Sequence, residues 1–451
     1  MRVAIIGSGP AGFYAAEALL RRTDTVVHVD MFDRLPTPYG LVRGGVAPDH
    51  QSIKTVTRVY EKTAARPTFR FLGNVCLGRD VTVEELRQHY HQIVYAVGNE
   101  ADRRLGIPGE GIARCTPVAV FIGWYNGHPD YRQAEIDLSV SRVAVVGNGN
   151  TAIDAARILL RSPAELEKTD LAAHALEALR NSRVSEVFIL GRRGPEQASF
   201  TPPELKEFGE MENIDPIVAP EELAGCAIPE TAGSSQQEKN LKILQSFAVR
   251  QPDAKAKKLH FRFLVSPAGI IADADGKVAG LVLEKNRLEV QPDGTVSARG
   301  TGETEVLEVG MVLTAIGFAA KPIAGVPYDE KARVIANEDG RVVDPVSRNV
   351  IANEYVVGWA RTGPQGLIGA HKGASAHVVE HMIADGAGLE VRRLPDREAI
   401  TSLLRQRGVQ IVSFNDWKRL DDVEVARGER RGASRDKITD VEAMLEVLAQ
   451  H

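Results

Sequence analysis

The sequence predicts an α/β fold with two Rossmann-like dinucleotide-binding domains, and three observations predict it. A strand, a glycine-rich turn and a helix follow one another twice, at residues 2–22 and 142–160. The next strand ends in an acid after the first unit and in paired arginines after the second. Two apolar strands ending in glycine, IVYAVG at 93–98 and MVLTAIG at 311–317, resemble each other.

In the first unit a short apolar run, residues 3–6, meets Gly7, Gly9 and Gly12, and Ala15, Ala16, Ala18, Leu19 and Leu20 continue it as a helix. Gly7 permits the tight turn, Gly9 lets backbone approach a pyrophosphate, and Gly12 allows close helix–strand packing. A helix N-terminus offers N–H groups and partial positive charge to phosphates. The next strand, TVVHVDMFDR, ends in Asp33, 21 residues after Gly12, where a carboxylate accepts hydrogen bonds from a ribose diol. Asp30 is the rival acid, and a solvated strand end is the plainer use of either. A Pro/Gly-rich loop at 36–50, a helix over 53–65 and two short strands lead to IVYAVG, and LGIPGEG at 105–111 reads as a linker.

In the second unit residues 143–146 meet Gly147 and Gly149, with Ala152 in the third position. Asn148 and Asn150 bring side-chain amides near the phosphates. The partner strand, at 184–194, ends in Arg192 and Arg193, which suit a dianionic 2′-phosphate that an acid would repel. The acid-marked cradle therefore fits FAD and the arginine-marked one fits NADPH rather than NADH. Residues 354–382 read as strand, glycine-rich turn and helix, and the last 65 or so residues as helices with an edge strand.

Composition narrows the function classes. At 451 residues the chain has room for two or three domains of roughly 150 residues each, with cores that need no staples. A net charge of −5 gives no sign of a nucleic-acid coat. Cys76, Cys115 and Cys226 lie far apart, which argues against a disulfide framework, a dithiol relay, a Cys-ligated cluster and a Cys₄ zinc site. No signal-peptide pattern and no run of 18 apolar residues occurs, so a cytoplasmic chain without membrane insertion is expected. His377 and His381 sit at i, i+4 on a helix, but no third ligand is evident and Glu380 faces elsewhere, so no metal is expected.

PTPYGLVRGGVAPDH, GNGNTAIDAARILL, LGRRGPEQASFTPPEL and EYVVGWARTGPQGLIG, in that order, resemble the adrenodoxin-reductase-like ferredoxin–NADP⁺ reductases. DWKRLDDVEVARGERRG, at 416–432, is similar to the tail of bacterial members. The resemblance implies an FAD domain built from residues 1–101 and 320–451, with an NADP domain, 102–319, inserted. It implies FAD contacts at Gly12, Asp33, Leu41, Leu77, Trp359, Gly366, Leu367 and Ile368, beside Gly7, Gly9 and Ala11 of the first turn. NADPH contacts fall on Arg103, Asn148, Gly149, Asn150, Thr151, Arg192, Arg193, Glu204 and Gly366. His50 and Glu207 match the family's polar pair near flavin and nicotinamide, for proton handling and electrostatic support. Asp33 stands where Glu is common.

Each assignment has a plainer rival. Glu204 completes a capping box with Thr201, Glu207 faces solvent, His50 is a turn residue, and Trp359 packs a core. The implied reaction is hydride transfer from NADPH to FAD, then single electrons to an acidic ferredoxin-type iron–sulfur protein, by a monomer. The alternative acceptor is a quinone or another small molecule. Lys239, Lys242, Arg250, Lys255, Lys257 and Lys258 form the candidate docking surface, with a solvated helix face as the plainer use.

Overall fold

The first strand, Arg2–Ile6, is apolar because it is covered on both faces, and it runs parallel between Gln92–Tyr95 and His28–Phe32. The computed structural model describes residues 1–99, 101–226, 235–251, 255–387, 389 and 392–450. The chain divides into two units, Met1–Ala101 with Gly317–His451, and Asp102–Ile316.

In the first unit seven strands form one sheet. Their order is Asn337–Glu338, Arg341–Val343, Val350–Val356, Gln92–Tyr95, Arg2–Ile6, His28–Phe32, Phe69–Leu72. The last five run parallel and the first two pair antiparallel at one edge. In the second unit six parallel strands lie in the order Cys115–Pro117, Met311–Thr314, Arg142–Val146, Glu186–Leu190, Lys257–Arg262, Ile214–Val218. An antiparallel sheet of Val265–Ala272, Val278–Val290 and Val296–Leu307 follows, which no reading of the sequence anticipated.

Both glycine turns obey the same steric rule. Gly7, at φ 106°, leaves no room for a side chain: a Cβ would stand 2.4 Å from the Ala96 carbonyl oxygen. Gly147, at φ 136°, would put a Cβ 2.2 Å from the Ala315 carbonyl oxygen. A Cβ on Gly12 would lie 2.2 Å from the Gly7 carbonyl oxygen, so the helix Pro10–Leu20 touches its own entry turn.

Four elements depart from expectation. The helix over 53–65 is broken into Gln51–Lys54 and Thr57–Ala64, where the Thr55 and Thr57 hydroxyls donate to the Ser52 and Lys54 carbonyls and compete with the helix ladder. Between this pair and IVYAVG there is one strand, Phe69–Leu72, and a helix, Val83–His89, started by a capping box of Thr82 and Glu85. The edge strand expected near the end is a single bridge between Gly73 and Val412, beside the helices Ala399–Gln406, Phe414–Arg430 and Val441–Ala449. The chain returns to the first unit at Gly317, three residues before the expected 320.

Gly7→Ala should lower stability by about 2 kcal/mol or more through left-handed strain and backbone collision. Gly9→Ala, whose Cβ would meet nothing within 4 Å, should cost under about 1 kcal/mol. Denaturant unfolding of both variants measures the difference.

Candidate functional site

In the first unit three distant segments converge on the glycine turn. Gly9 is the N-cap of Pro10–Leu20, and its Cβ side is open. Gly40, at φ 48°, would place a Cβ 3.0 Å from the Gly9 Cα, and the Tyr39 N–H donates to the Ser8 carbonyl at 3.0 Å. Leu41, 42% exposed, comes next and starts the short helix Leu41–Gly44. Gly358, at φ 68°, would place a Cβ 2.6 Å from the Ala11 Cβ, and the Ser375 hydroxyl donates to the Ala11 carbonyl at 3.2 Å.

Trp359 follows Gly358 and is half-buried, so it is not a core residue. Its Nε1 donates to the Gln365 carbonyl at 3.1 Å, and its ring stacks on Phe318 at 6.1 Å. It thus braces the turn holding Gly366, at φ 83°, the exposed Leu367 and the half-buried Ile368. Leu77 packs, half-buried, against the core. His50 is the half-buried N-cap residue of Gln51–Lys54 and supplies no side-chain cap there.

The choice between the two acids is decided by their partners. Asp30 is buried and accepts from Arg70 at 2.8 and 2.6 Å, from Arg397 at 2.7 Å and from the Tyr90 hydroxyl at 2.8 Å. Burial pushes its carboxyl up, but the two arginines outweigh burial and hold it below the usual range. Asp33 instead adjoins the turn: Oδ2 accepts from the Ser8 N–H at 3.0 Å and hydroxyl at 2.5 Å, and Oδ1 from the Leu35 N–H at 2.9 Å. Burial raises the Asp33 carboxyl above its ordinary value, against the Ser8 hydroxyl.

Sequence reasoning missed the anchor of the loop around Leu41. Arg43 donates to both oxygens of the fully buried Glu424, at 2.8 and 2.6 Å, and lies over the Trp417 ring. Glu424 also accepts from Arg435 at 3.1 Å and from the Ile438 N–H at 2.8 Å. The charge is therefore paired and its lone pairs are used, as burial requires.

In the second unit Gly149 is the N-cap of Asn150–Leu160. The Asn150 Oδ1 accepts from the Thr201 N–H at 2.8 Å, so its amide ties two elements together. The Asn148 carbonyl accepts from the Ser199 N–H and hydroxyl at 3.0 and 3.2 Å. Thr151 is half-buried in the first turn.

The capping box expected at Thr201 and Glu204 does not form, because Asn150 takes the N–H that Glu204 would need. Glu204 Oε2 is buried with no hydrogen-bond partner among the described residues. Glu207 is not a solvent-facing acid: it is half-buried and accepts from Arg161 at 2.7 Å, with Arg157 at 3.8 Å.

Arg192 is exposed and Arg193 half-buried, and among the described residues neither guanidinium has a carboxylate partner. Their backbone is fixed: the Asn286 amide donates to the Arg192 carbonyl at 2.8 Å and the Leu264 N–H to that of Arg193 at 3.2 Å. Arg103 is exposed.

The six cations proposed for docking do not act as one surface. Arg250 donates to the Gly209 carbonyl, Lys255 to those of Met211 and Ile214, and Lys257 to that of Leu159. Gly209 and Leu159 lie in the last turns of their helices and Met211 is a C-cap, places where carbonyls need donors, and Ile214 opens the strand Ile214–Val218. Lys239 and Lys242 stay exposed on Gln236–Ala248.

A seven-stranded sheet with five parallel strands and a six-stranded parallel sheet, each opening on a glycine turn, define a Rossmann-like α/β protein, and the pyridine nucleotide-disulphide oxidoreductase family matches residues 1–192. Over 99% of this chain and 98% of the relative, 41% of residues are identical to the NADPH-ferredoxin reductase FprA of Mycobacterium tuberculosis. The human mitochondrial NADPH:adrenodoxin oxidoreductase is 39% identical over 99% of this chain and 92% of its own. The solved structure of M. tuberculosis FprA in complex with NADPH superposes with a TM-score of 0.95, at 40% identity over 99% of each chain. The chain belongs to the family of NADPH–ferredoxin and NADPH–adrenodoxin reductases. No helix among the described residues is long and apolar enough to cross a membrane.

Glu424→Gln leaves Arg43 without its anion in a buried place, while Arg435 keeps Asp421. It should cost about 3 kcal/mol, read as a lowered denaturation midpoint.

Proposed function

We propose that this chain is an NADPH-dependent flavoprotein reductase, which passes electrons from NADPH by way of FAD to a ferredoxin-type iron–sulfur protein. The observation that carries the reading is the contrast between the two glycine turns. One is backed by the carboxylate of Asp33, bonded to Ser8, and the other by Arg192 and Arg193 without acidic partners among the described residues. The relatives named for NADPH and for ferredoxin or adrenodoxin support it over the full chain.

The residues fit both groups. In the first unit the open side of Gly9, the N-terminus of Pro10–Leu20 and Asp33 would hold the pyrophosphate and ribose of FAD. Ala11, Gly12, Leu41, Leu77 and the turn from Trp359 to Ile368 would frame the rest. In the second unit Asn148, Gly149, Asn150 and Thr151 would cradle the NADPH phosphates, with Arg103 beside them. Arg192 and Arg193 would hold the 2′-phosphate, and the unpartnered Glu204 Oε2 would accept a nucleotide donor. When bound, the two nucleotides supply a hydride donor and a flavin that releases electrons singly.

The protein's own part is positioning and charge. Trp359 holds the 363–366 turn in shape. Arg161 and Arg157 fix the Glu207 carboxylate, and His50 and Glu207 serve proton handling and electrostatic support. An acidic partner, a monomeric chain and a cytoplasmic setting complete the reading. The exposed Lys239 and Lys242 support an acidic partner, and the salt dependence of ferredoxin turnover tests it.

Anaerobic NADPH should bleach the flavin band, and ferredoxin should then outpace quinone as acceptor in steady-state assays. A chain that faithfully reduces quinone but not ferredoxin would overturn the partner. Arg192→Ala with Arg193→Ala should raise KM for NADPH at least about tenfold, from the loss of charge-assisted contacts, and leave KM for NADH nearly unchanged. Parallel titration with the two nucleotides gives the ratio.

A further inference from the structure

The sequence offered His377 and His381 without a third ligand, and the structure supplies one. Asp339, in the turn between Asn337–Glu338 and Arg341–Val343, reaches both rings on the helix Ala370–Asp385. Its Oδ2 lies 2.8 Å from His377 Nε2 and 3.1 Å from His381 Nε2, and the two Nε2 atoms are 3.2 Å apart. Three atoms with lone pairs thus form a nearly equilateral triangle.

Hydrogen bonds alone do not satisfy this triangle. If both Nε2 atoms carry protons, the N–H groups oppose each other across one edge. If one Nε2 is bare, its lone pair faces a carboxylate lone pair. A cation bound by all three makes every edge favourable.

The size fits as well. A triangle of these edges has a circumradius of about 1.8 Å, so an ion about 2.1 Å from each atom, the usual zinc distance, would stand about 1 Å out of the plane. That leaves an open face for water.

We propose that Asp339, His377 and His381 form a binding site for a borderline divalent cation of the zinc type, which fastens the edge hairpin to the helix Ala370–Asp385. The donor set, two imidazoles and one carboxylate, is the set that zinc and cobalt accept. His377 and Asp339 are about half exposed, so an ion can enter from solvent. The charges around the site limit its strength. Arg361 donates to Asp339 Oδ1 at 2.5 Å, and Arg341 contacts His381 Nδ1. With the ion on Nε2 the Nδ1 atom carries the proton, and Arg341 rests on Asp385, which it already meets at 2.7 and 2.9 Å. The proposal does not depend on the reading of the nucleotide sites.

The test uses the FAD-loaded protein, stripped of metal and dialysed against zinc chloride at neutral pH. The wild type should retain one zinc per chain more than Asp339→Asn or His377→Ala, and Glu380→Gln, on the same helix, should retain as much as the wild type. Cobalt chloride should give ligand-field bands to the red of the flavin in the wild type and in Glu380→Gln, and none in the other two. Zinc should raise the melting temperature only where it binds. Equal zinc in the wild type and His377→Ala, or no zinc in the wild type, overturns the site. Unchanged flavin absorbance in all variants shows that the fold is kept.

Discussion

Both nucleotide-type turns depend on one steric constraint. The chain leaves its first strand and must cross the end of a neighbouring parallel strand at backbone contact distance. Gly7 passes the Ala96 carbonyl and Gly147 passes that of Ala315. No side chain fits at either crossing. The crossing delivers a helix N-terminus to the carboxyl ends of the strands, which is where open parallel sheets hold ligands. The two apolar runs that end in Ala-Val-Gly and Ala-Ile-Gly are the strands being crossed, so their likeness in sequence reflects one shared geometry.

Features set by near neighbours were legible in the sequence. Glycine spacing, strand runs and the arginine pair depend on a few consecutive residues, and the turns follow from them. Features that depend on distant partners were not. Asp30 and Asp33 look alike until Arg70 and Arg397, 40 and 367 residues away, occupy the first. The capping box at Thr201 reads well until Asn150, 51 residues earlier, takes its N–H. Asp339 becomes a neighbour of His377 only through the sheet edge. The Thr82–Glu85 capping box is the reverse case, a local signal in plain view beside a segment read as strand.

Tertiary placement also changes the meaning of charge. The basic stretch from Lys239 to Lys258 suggested a docking face, yet half of its named cations are spent on carbonyls at helix ends. Burial lowers the Lys257 ammonium below its usual pKa, in keeping with that internal use. Arg43 stands in the Pro/Gly-rich segment 36–50, and it holds that segment to a fully buried carboxylate.

That carboxylate, Glu424, lies 381 residues downstream of Arg43. A ribosome emits the chain in order, so residues 102–316 can collapse on their own while the first glycine turn still lacks the helix that secures its loop. The acid-marked turn is then secured only once Glu424 has emerged, after the inserted unit. The loop that faces its nucleotide therefore gains its anchor later than the inserted unit gains its own core.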